Sequence, residues 1–261
     1  MTLADISPLV LTYNEEENIQ RCLSRLTWAH EVIVVDSCST DQTPSLAGKF
    51  PNARVVPRPF DNHTAQWNFG VDQCRSPWIL ALDADYTLEA GFEEELSQLQ
   101  SDSRVAFFAS FRYVIFDRAL RGSLYPPRAV LFHRDHCRYI ADGHTQLLNI
   151  TGESAALQTR IRHDDRKPLS RWLRSQDNYA QLEAAKLGSL PIGQLSLQDR
   201  LRRAIVPAPA LAFFYSLVIR GTLFDGWRGW YYALQRAIAE ILLSLRLLDH
   251  HFSNPPPHEP K

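Results

Sequence analysis

Residues 79–82, Ile-Leu-Ala-Leu, leave no polar face in either a strand or a helix. A run this short reads as a strand buried on both sides, which requires structure packed above and below its sheet. Glu31-Val32-Ile33-Val34-Val35 repeats the pattern with β-branched residues, and Pro8-Leu9-Val10-Leu11-Thr12 and Arg54-Val55-Val56 supply two more strands. Helical spacing fills the gaps. Asn14 stands as an N-cap with Glu17 in the capping-box position, opening a helix through Ile19, Cys22, Leu23 and Leu26. Thr40, Asp41 and Pro44 start a second helix, and His63 to Cys74 forms a third. This alternation predicts an α/β fold, a mostly parallel Rossmann-like sheet flanked by helices on both faces.

Such sheets bind ligands beyond the carboxyl ends of their strands. Thr12, Asp36 and Asp83 fall at those ends on three different strands. Carrying the 79–82 strand onward places Asp83 and Asp85 on one side under a two-residue period. Two hard oxygen donors at the mouth of a sheet suit Mg²⁺ or Mn²⁺, which also takes phosphate oxygens. Aspartates at strand ends also serve as caps and turn formers, so the pair needs its context. No G-x-G-x-x-G and no Walker-type lysine loop occurs, which disfavours a dinucleotide enzyme or a P-loop kinase.

The formal net charge of −1 argues against a general nucleic-acid binder, so no nucleic-acid partner is expected. Cys22, Cys38, Cys74 and Cys137 lie far apart with no C-x-x-C pair, fitting neither a zinc site nor a disulfide framework. A reducing compartment follows, and the N-terminus has no basic segment of the secretory kind.

The segments L-T-Y-N-E-E-E-N, V-V-D-S-C-S-T-D, Q-W-N-F-G and D-A-D, in that order, resemble glycosyltransferase family 2, whose catalytic domain has the GT-A fold. The resemblance covers about residues 6 to 165. L-Y-P-P-R-A-V-L-F-H-R, D-G-H-T-Q and D-G-W-R-G are similar to bacterial members resembling the lipopolysaccharide-core β-glucosyltransferases. It implies a nucleotide-sugar donor, usually a UDP-sugar, and inversion at the anomeric carbon. On this resemblance Thr12, Tyr13 and Glu15 surround the nucleotide and Asp36 contacts the base. Gln66 and Asn68 line the same pocket, although Trp67 replaces a family arginine or lysine. Asp83 then contacts the ribose or the metal, and Asp85 is the more direct metal ligand.

An acceptor hydroxyl needs a general base within hydrogen-bond reach. Asp142 matches the family's acidic base and His144 is the alternative; the plainer reading of Asp142 is a turn or cap residue. His163 would complete the metal shell, and Arg166 with Lys167 would clamp the diphosphate. A solvated charged loop is the plainer reading there. Arg128, beside Pro126-Pro127, would face the donor. Glu93, Glu94 and Glu95 follow Gly91 in the first turns of a helix, where acids suit the dipole, and read as structural.

Residues 1–168 therefore read as the catalytic domain, 169–252 as a helical region and 253–261 as a disordered tail, with His250 and His251 as disordered or surface residues before it. Arginines crowd residues 160–203, directly before the apolar Ala204 to Ile219. That stretch of 16 residues rises about 24 Å as a helix, short of a hydrocarbon core of about 30 Å, so it reads as interfacial. Trp227, Trp230, Tyr231 and Tyr232 suit a headgroup region, and Ala233 to Leu248 carries Arg236, Glu240 and Ser244 along one stripe. The basic-then-apolar order points to an anionic membrane surface, with the protein peripheral on the cytoplasmic face of the inner membrane. Packing on the catalytic domain or in a homo-oligomer is the competing cover for these helices. The expected activity is metal-dependent sugar transfer to a lipid-linked or lipopolysaccharide-type acceptor. A nucleotidyltransferase would show a Gly-rich first loop, which is absent; a non-catalytic nucleotide-sugar-binding or membrane scaffold protein is the other rival.

Overall fold

The structure, a computed structural model, describes residues 1–100, 103–142 and 145–253, with the side chains of Asp142, Thr145 and Ser253 outside the description. The chain divides into two compact units: Met1–Ala119 with Tyr125–Arg166, and Leu120–Leu124 with the chain from Lys167 onward.

In the first unit, strands β1 (Ile6–Thr12), β2 (Val32–Asp36), β3 (Ala53–Pro57) and β4 (Trp78–Asp83) alternate with helices α1 (Ile19–Leu23), α2 (Thr43–Ala47) and α3 (His63–Gln73). After β5 (Tyr86–Leu88) and helix α4 (Phe92–Gln98) come β6 (Arg104–Ala109), β7 (Phe111–Ile115), β8 (Arg118–Ala119) and β9 (Arg128–His133). Strands β10 (Cys137–Asp142), β11 (Thr145–Ile150), β12 (Glu153–Ala156) and β13 (Ile161–His163) complete the unit. The main sheet has the order β12-β6-β9-β4-β1-β2-β3. Its β4-β1-β2-β3 half is parallel, as are β12 and β6; β9 alone runs antiparallel to both neighbours. A smaller sheet has the order β5-β13-β7-β8, and β10 and β11 pair as a hairpin.

Why the apolar runs have no polar face is visible in how their side chains divide. Val10, Val34, Leu80 and Leu82 pack with Ile19, Leu23, Ala47, Phe92 and Leu96 on one side of the sheet. Leu9, Ile33, Val35, Ile79 and Ala81 alternate with them and pack against Trp67 and Val71 of α3 and Cys74 just after it on the other. Gly70 permits the close approach of α3, since a Cβ there would lie 2.6 Å from the Leu9 side chain.

Three local expectations are corrected. The 79–82 strand ends at Asp83, and the chain turns through Ala84 and Asp85 into β5, so the two aspartates do not share one strand. The first helix is shorter than its apolar spacing suggests and begins after Asn18. Asn14 is not its cap: it adopts a left-handed conformation (φ 53) and its Oδ1 accepts from the Thr40 backbone N–H at 2.7 Å.

The second unit holds α5 (Leu169–Ser189), α6 (Leu197–Arg203), α7 (Pro207–Phe214) and α8 (Trp227–Ser253). Ala180, Ala184 and Leu187 of α5 pack with Leu243 and Leu247 of α8. The polar stripe of α8 is part of this packing and does not face solvent. Glu240 accepts a forked pair of bonds from Arg202 at 2.8 and 3.1 Å, Ser244 donates to the Ile205 carbonyl, and the Arg236 guanidinium lies over the Trp172 and Tyr232 rings. Tyr232 is also withdrawn from the exposed aromatic group: it is 1% exposed, and its hydroxyl accepts from the Leu124 N–H. His250 and His251 are exposed in the last turns of α8, so of the two readings the surface one holds. The expected disordered tail falls, from residue 254 on, outside the described residues. Among the described residues no helix is long and apolar enough to cross a membrane.

Candidate active site

Parallel register brings the expected strand ends together. Thr12 lies beside Asp36 across β1 and β2, and Leu11 beside Asp83 across β1 and β4. Beyond this edge Asp85 faces β13, where its Oδ2 is 3.3 Å from His163 Nε2. Both side chains are nearly buried, at 11% and 12% exposure. Around His163 stand the rings of Tyr86, Tyr113 and Tyr125, with centroids 5.3, 4.8 and 4.6 Å away. Arg128, the first residue of β9, lies over the Tyr125 ring at 5.1 Å. Burial and the like charge of Asp85 push the Asp83 carboxyl above the usual carboxylate range, against the pull of Arg128 and a hydrogen bond from Tyr86.

The loops after β1 and β2 are cross-braced. Asp36 is buried and accepts from the Ser39 N–H at 2.9 Å and the Ser39 hydroxyl at 2.6 Å. Ser39 Oγ in turn accepts from the Asn14 N–H, and the Thr12 carbonyl accepts from the Ser37 N–H. Glu15 accepts from Asn18 Nδ2 at 2.7 Å, while the Glu15 N–H donates to Thr43 Oγ1 at 2.6 Å. Gln66 Nε2 donates to Ser37 Oγ and to the Arg58 carbonyl. Tyr13 is exposed. Cys38, between these loop anchors, is left-handed at φ 60. Strain of this kind persists only where surrounding bonds over-determine the backbone.

Asn68 serves the hairpin. Its Nδ2 donates to the Tyr139 carbonyl at 2.9 Å and its Oδ1 accepts from the Tyr139 N–H at 3.1 Å. Trp67 stacks on the Tyr139 ring at 5.3 Å. Thus α3 carries β10, which ends on Asp142; the hairpin partner of Asp142 is Thr145, and among the described residues no helix follows for it to cap. The Asp142 side chain and His144 lie outside the described residues.

Arg166 goes elsewhere. Its Nε and Nη2 bond to Asp164 Oδ2 at 3.2 Å, it pairs with Asp117, and it lines a separate cavity with Arg21. Glu95 also has a specific task, accepting from the Gln158 and Thr159 N–H groups at 2.6 and 2.8 Å. The tyrosine cage about His163 has no local signature; Tyr113 and Tyr125 reach it only through the small sheet and the chain before β9.

Among the described residues no set of three or more His, Cys, Asp or Glu is arranged to hold a metal ion. A magnesium-type ion, however, needs only one or two carboxylates when substrate phosphates complete its shell. Burial first, and the like charge of Asp85 second, oppose an ionised Asp83, and a bound cation would offset both; Asp83 and Asp85 are the carboxylates that would hold it. His163 Nε2 lies against the Asp85 carboxylate. Three further buried polar atoms lack a hydrogen-bond partner among the described residues: Thr12 Oγ1, Arg128 Nε and His163 Nδ1. Buried polar atoms are rarely left so, and all three belong to residues at or beyond this sheet edge.

The family model described as glycosyl transferase family 2 matches residues 7–167. The lipopolysaccharide core biosynthesis glycosyltransferase LpsC of Rhizobium meliloti is 31% identical over 102 residues, 38% of this chain and 38% of that protein. An uncharacterized glycosyltransferase of Rickettsia bellii is 36% identical over 134 residues, 51% of this chain and 40% of its own length. The chain thus spans about two-fifths of the length of these relatives. Among solved structures, S. aureus TarS 1-349 in complex with UDP-GlcNAc superposes with a TM-score of 0.50 at 15% identity, over 97% of this chain and 92% of that one. That likeness is one of fold.

Proposed function

This chain belongs to glycosyl transferase family 2 and has the GT-A fold, and from that premise we propose that it is an inverting, metal-dependent glycosyltransferase. The donor is a nucleotide-sugar, with a UDP-sugar as first choice, and the acceptor is a hydroxyl on a lipid-linked or lipopolysaccharide-type glycan. The observation that carries the reading is the meeting of Thr12, Asp36 and Asp83 at one sheet edge, with Asp85, His163 and Arg128 beyond it.

In this reading the nucleotide rests against the braced loops after β1 and β2, near Asp36 and Tyr13. Breaking the sugar–phosphate bond leaves negative charge on the diphosphate. A divalent ion held by Asp83 and Asp85 supplies compensating positive charge when bound. Arg128, whose buried Nε has no partner among the described residues, adds a fixed cation on the same side. His163 keeps Asp85 oriented, and the tyrosine cage keeps water away from that contact. Asp142, with His144 as the alternative, takes the proton from the acceptor hydroxyl as it attacks opposite the leaving group. The hairpin bearing Asp142 is fixed by Asn68, which supports a base placed from the acceptor side.

The name of the LpsC relative supports the acceptor class. In the second unit, Val206, Leu211, Phe214, Val218, Ile219, Phe224, Trp227 and Trp230 are exposed, with the exposed Arg220 and the half-buried Arg228 among them. Apolar residues interspersed with cations support peripheral binding to an anionic membrane, and hence the cytoplasmic face of the inner membrane.

The test is a thermal-shift series of UDP-, GDP- and dTDP-sugars with and without Mn²⁺, followed by sugar transfer with Asp85→Asn and Asp142→Asn. Stabilisation by one nucleotide class, and loss of transfer in both folded variants, is expected. No stabilisation by any nucleotide defeats the donor assignment. Biological function retained by both variants would favour a non-catalytic binding protein.

A further inference from the structure

The small sheet has two faces of different chemistry. Tyr86, Tyr113 and His163 share one, facing Tyr125 and Asp85. One residue out of phase, Thr87, Arg112 and Arg162 share the other. On that second face lies a cavity of about 530 Å³, lined by Arg21, Arg25, Arg162 and Arg166 together with Glu89 and Asp164. We propose that this cavity is a second anion-binding site, shaped for a phosphomonoester carried on a sugar-sized molecule.

Its charges are unevenly matched. Asp164, buried at 5% side-chain exposure, is shared by Arg21 and Arg166, and Asp117 adds a second acid to Arg166. Glu89 pairs with Arg112 at 3.1 Å. Arg25 and Arg162 have no acidic partner among the described residues. Five arginines against three acids leave an excess of two positive charges, the complement of a phosphomonoester dianion. Arg21 is held on two sides, by Asp164 and by Asn18 Oδ1 at 2.5 Å, while its buried Nε has no hydrogen-bond partner among the described residues. A guanidinium fixed in this way loses little freedom when it meets a phosphate. The volume falls within the range of about 300–1,000 Å³ usual for small-molecule sites and exceeds what a bare phosphate fills.

The test titrates the full chain by calorimetry with inorganic phosphate and with glucose 6-phosphate. In parallel it is mixed with phosphatidylcholine vesicles containing phosphatidic acid, which present the same group on a lipid. R25A/R162A is compared with R25K/R162K and with R75A, which removes an exposed arginine elsewhere. Melting temperatures confirm that each variant is folded. Glucose 6-phosphate is expected to bind saturably, to lose at least tenfold in affinity with R25A/R162A, and to recover in part with R25K/R162K. R75A and Asp85→Asn bind it as the wild type does. If only the phosphatidic acid vesicles show this loss, the same group is delivered by a lipid headgroup. No saturable binding of any probe, or binding that survives R25A/R162A, overturns the proposal.

Discussion

Asn68→Ala separates two tasks, one expected from the sequence and one seen in the structure. The resemblance puts Asn68 in the donor pocket, whereas the structure spends its amide on both backbone groups of Tyr139. Tyr139 is 8% exposed, so truncation leaves one nearly buried N–H and one carbonyl without that partner. At about 1–3 kcal/mol for each group, less what water recovers, the loss comes to about 2–4 kcal/mol. For a cooperative unit of this size that is a fall in Tm of about 4–16 °C. The hairpin ending at Asp142 loosens most, because it is then tied to α3 by Trp67 stacking on Tyr139 and by the exposed Arg138–Asp72 pair, without the two backbone bonds of Asn68. The assays are differential scanning calorimetry, hydrogen exchange across residues 137–150, and steady-state sugar transfer. Expected are faster exchange in the hairpin, a lower kcat, and a nucleotide-sugar Kd within about twofold of wild type. Asn68→Asp keeps the acceptor for the Tyr139 N–H but sets a carboxylate oxygen against the Tyr139 carbonyl, so it fares no better. A tenfold weaker donor Kd with an unchanged Tm would refute the reasoning and return Asn68 to the donor pocket.

Glu95→Ala removes two charge-assisted bonds to the Gln158 and Thr159 N–H groups and is expected to cost about 2 kcal/mol, a fall of about 4–8 °C by calorimetry, with Glu95→Gln intermediate. Thiol labelling at pH 8 should find one fast site, the exposed Cys38. Burial pushes the Cys74 and Cys137 thiols up to about 12 and about 11, so less than about one in a hundred is thiolate at that pH, and their labelling in the native state rises only as pH climbs toward those values. Because Cys38 lies between Asp36 and Ser39, a bound nucleotide is expected to slow its labelling; equal rates with and without UDP would count against a nucleotide seated on that loop. Trp227→Ser with Trp230→Ser, both exposed residues, should weaken co-sedimentation with anionic vesicles several-fold in a protein shown by its Tm to remain folded, and undiminished binding would argue against α8 as a membrane contact.

The strands were legible because burial on both faces leaves a mark within four or five residues, as in 32–35 and 79–82. The carboxyl-edge meeting of Thr12, Asp36 and Asp83 followed from that, since parallel neighbours end together. What the sequence concealed depends on partners far along the chain. Asp85 was expected to continue the strand, yet the chain turns after Asp83 and Asp85 meets His163 across β5 and β13. Asn68 finds Tyr139 71 positions away, and Arg21 finds Asp164 143 positions away. No local pattern encodes such pairings. They also invert the way polar residues at the edge are best interpreted. Asp36, Glu15, Gln66 and Asn68 match family motifs, but much of their hydrogen-bonding capacity is committed to Ser39, Asn18, Ser37 and Tyr139. Committed groups shape the loops that hold a ligand. The atoms left to meet one are the complement: Thr12 Oγ1, Arg128 Nε and His163 Nδ1, each buried and without a hydrogen-bond partner among the described residues. A polar ligand that satisfies these three recovers part of the cost of burying them, so affinity at this edge should depend more on them than on the better-marked motif residues.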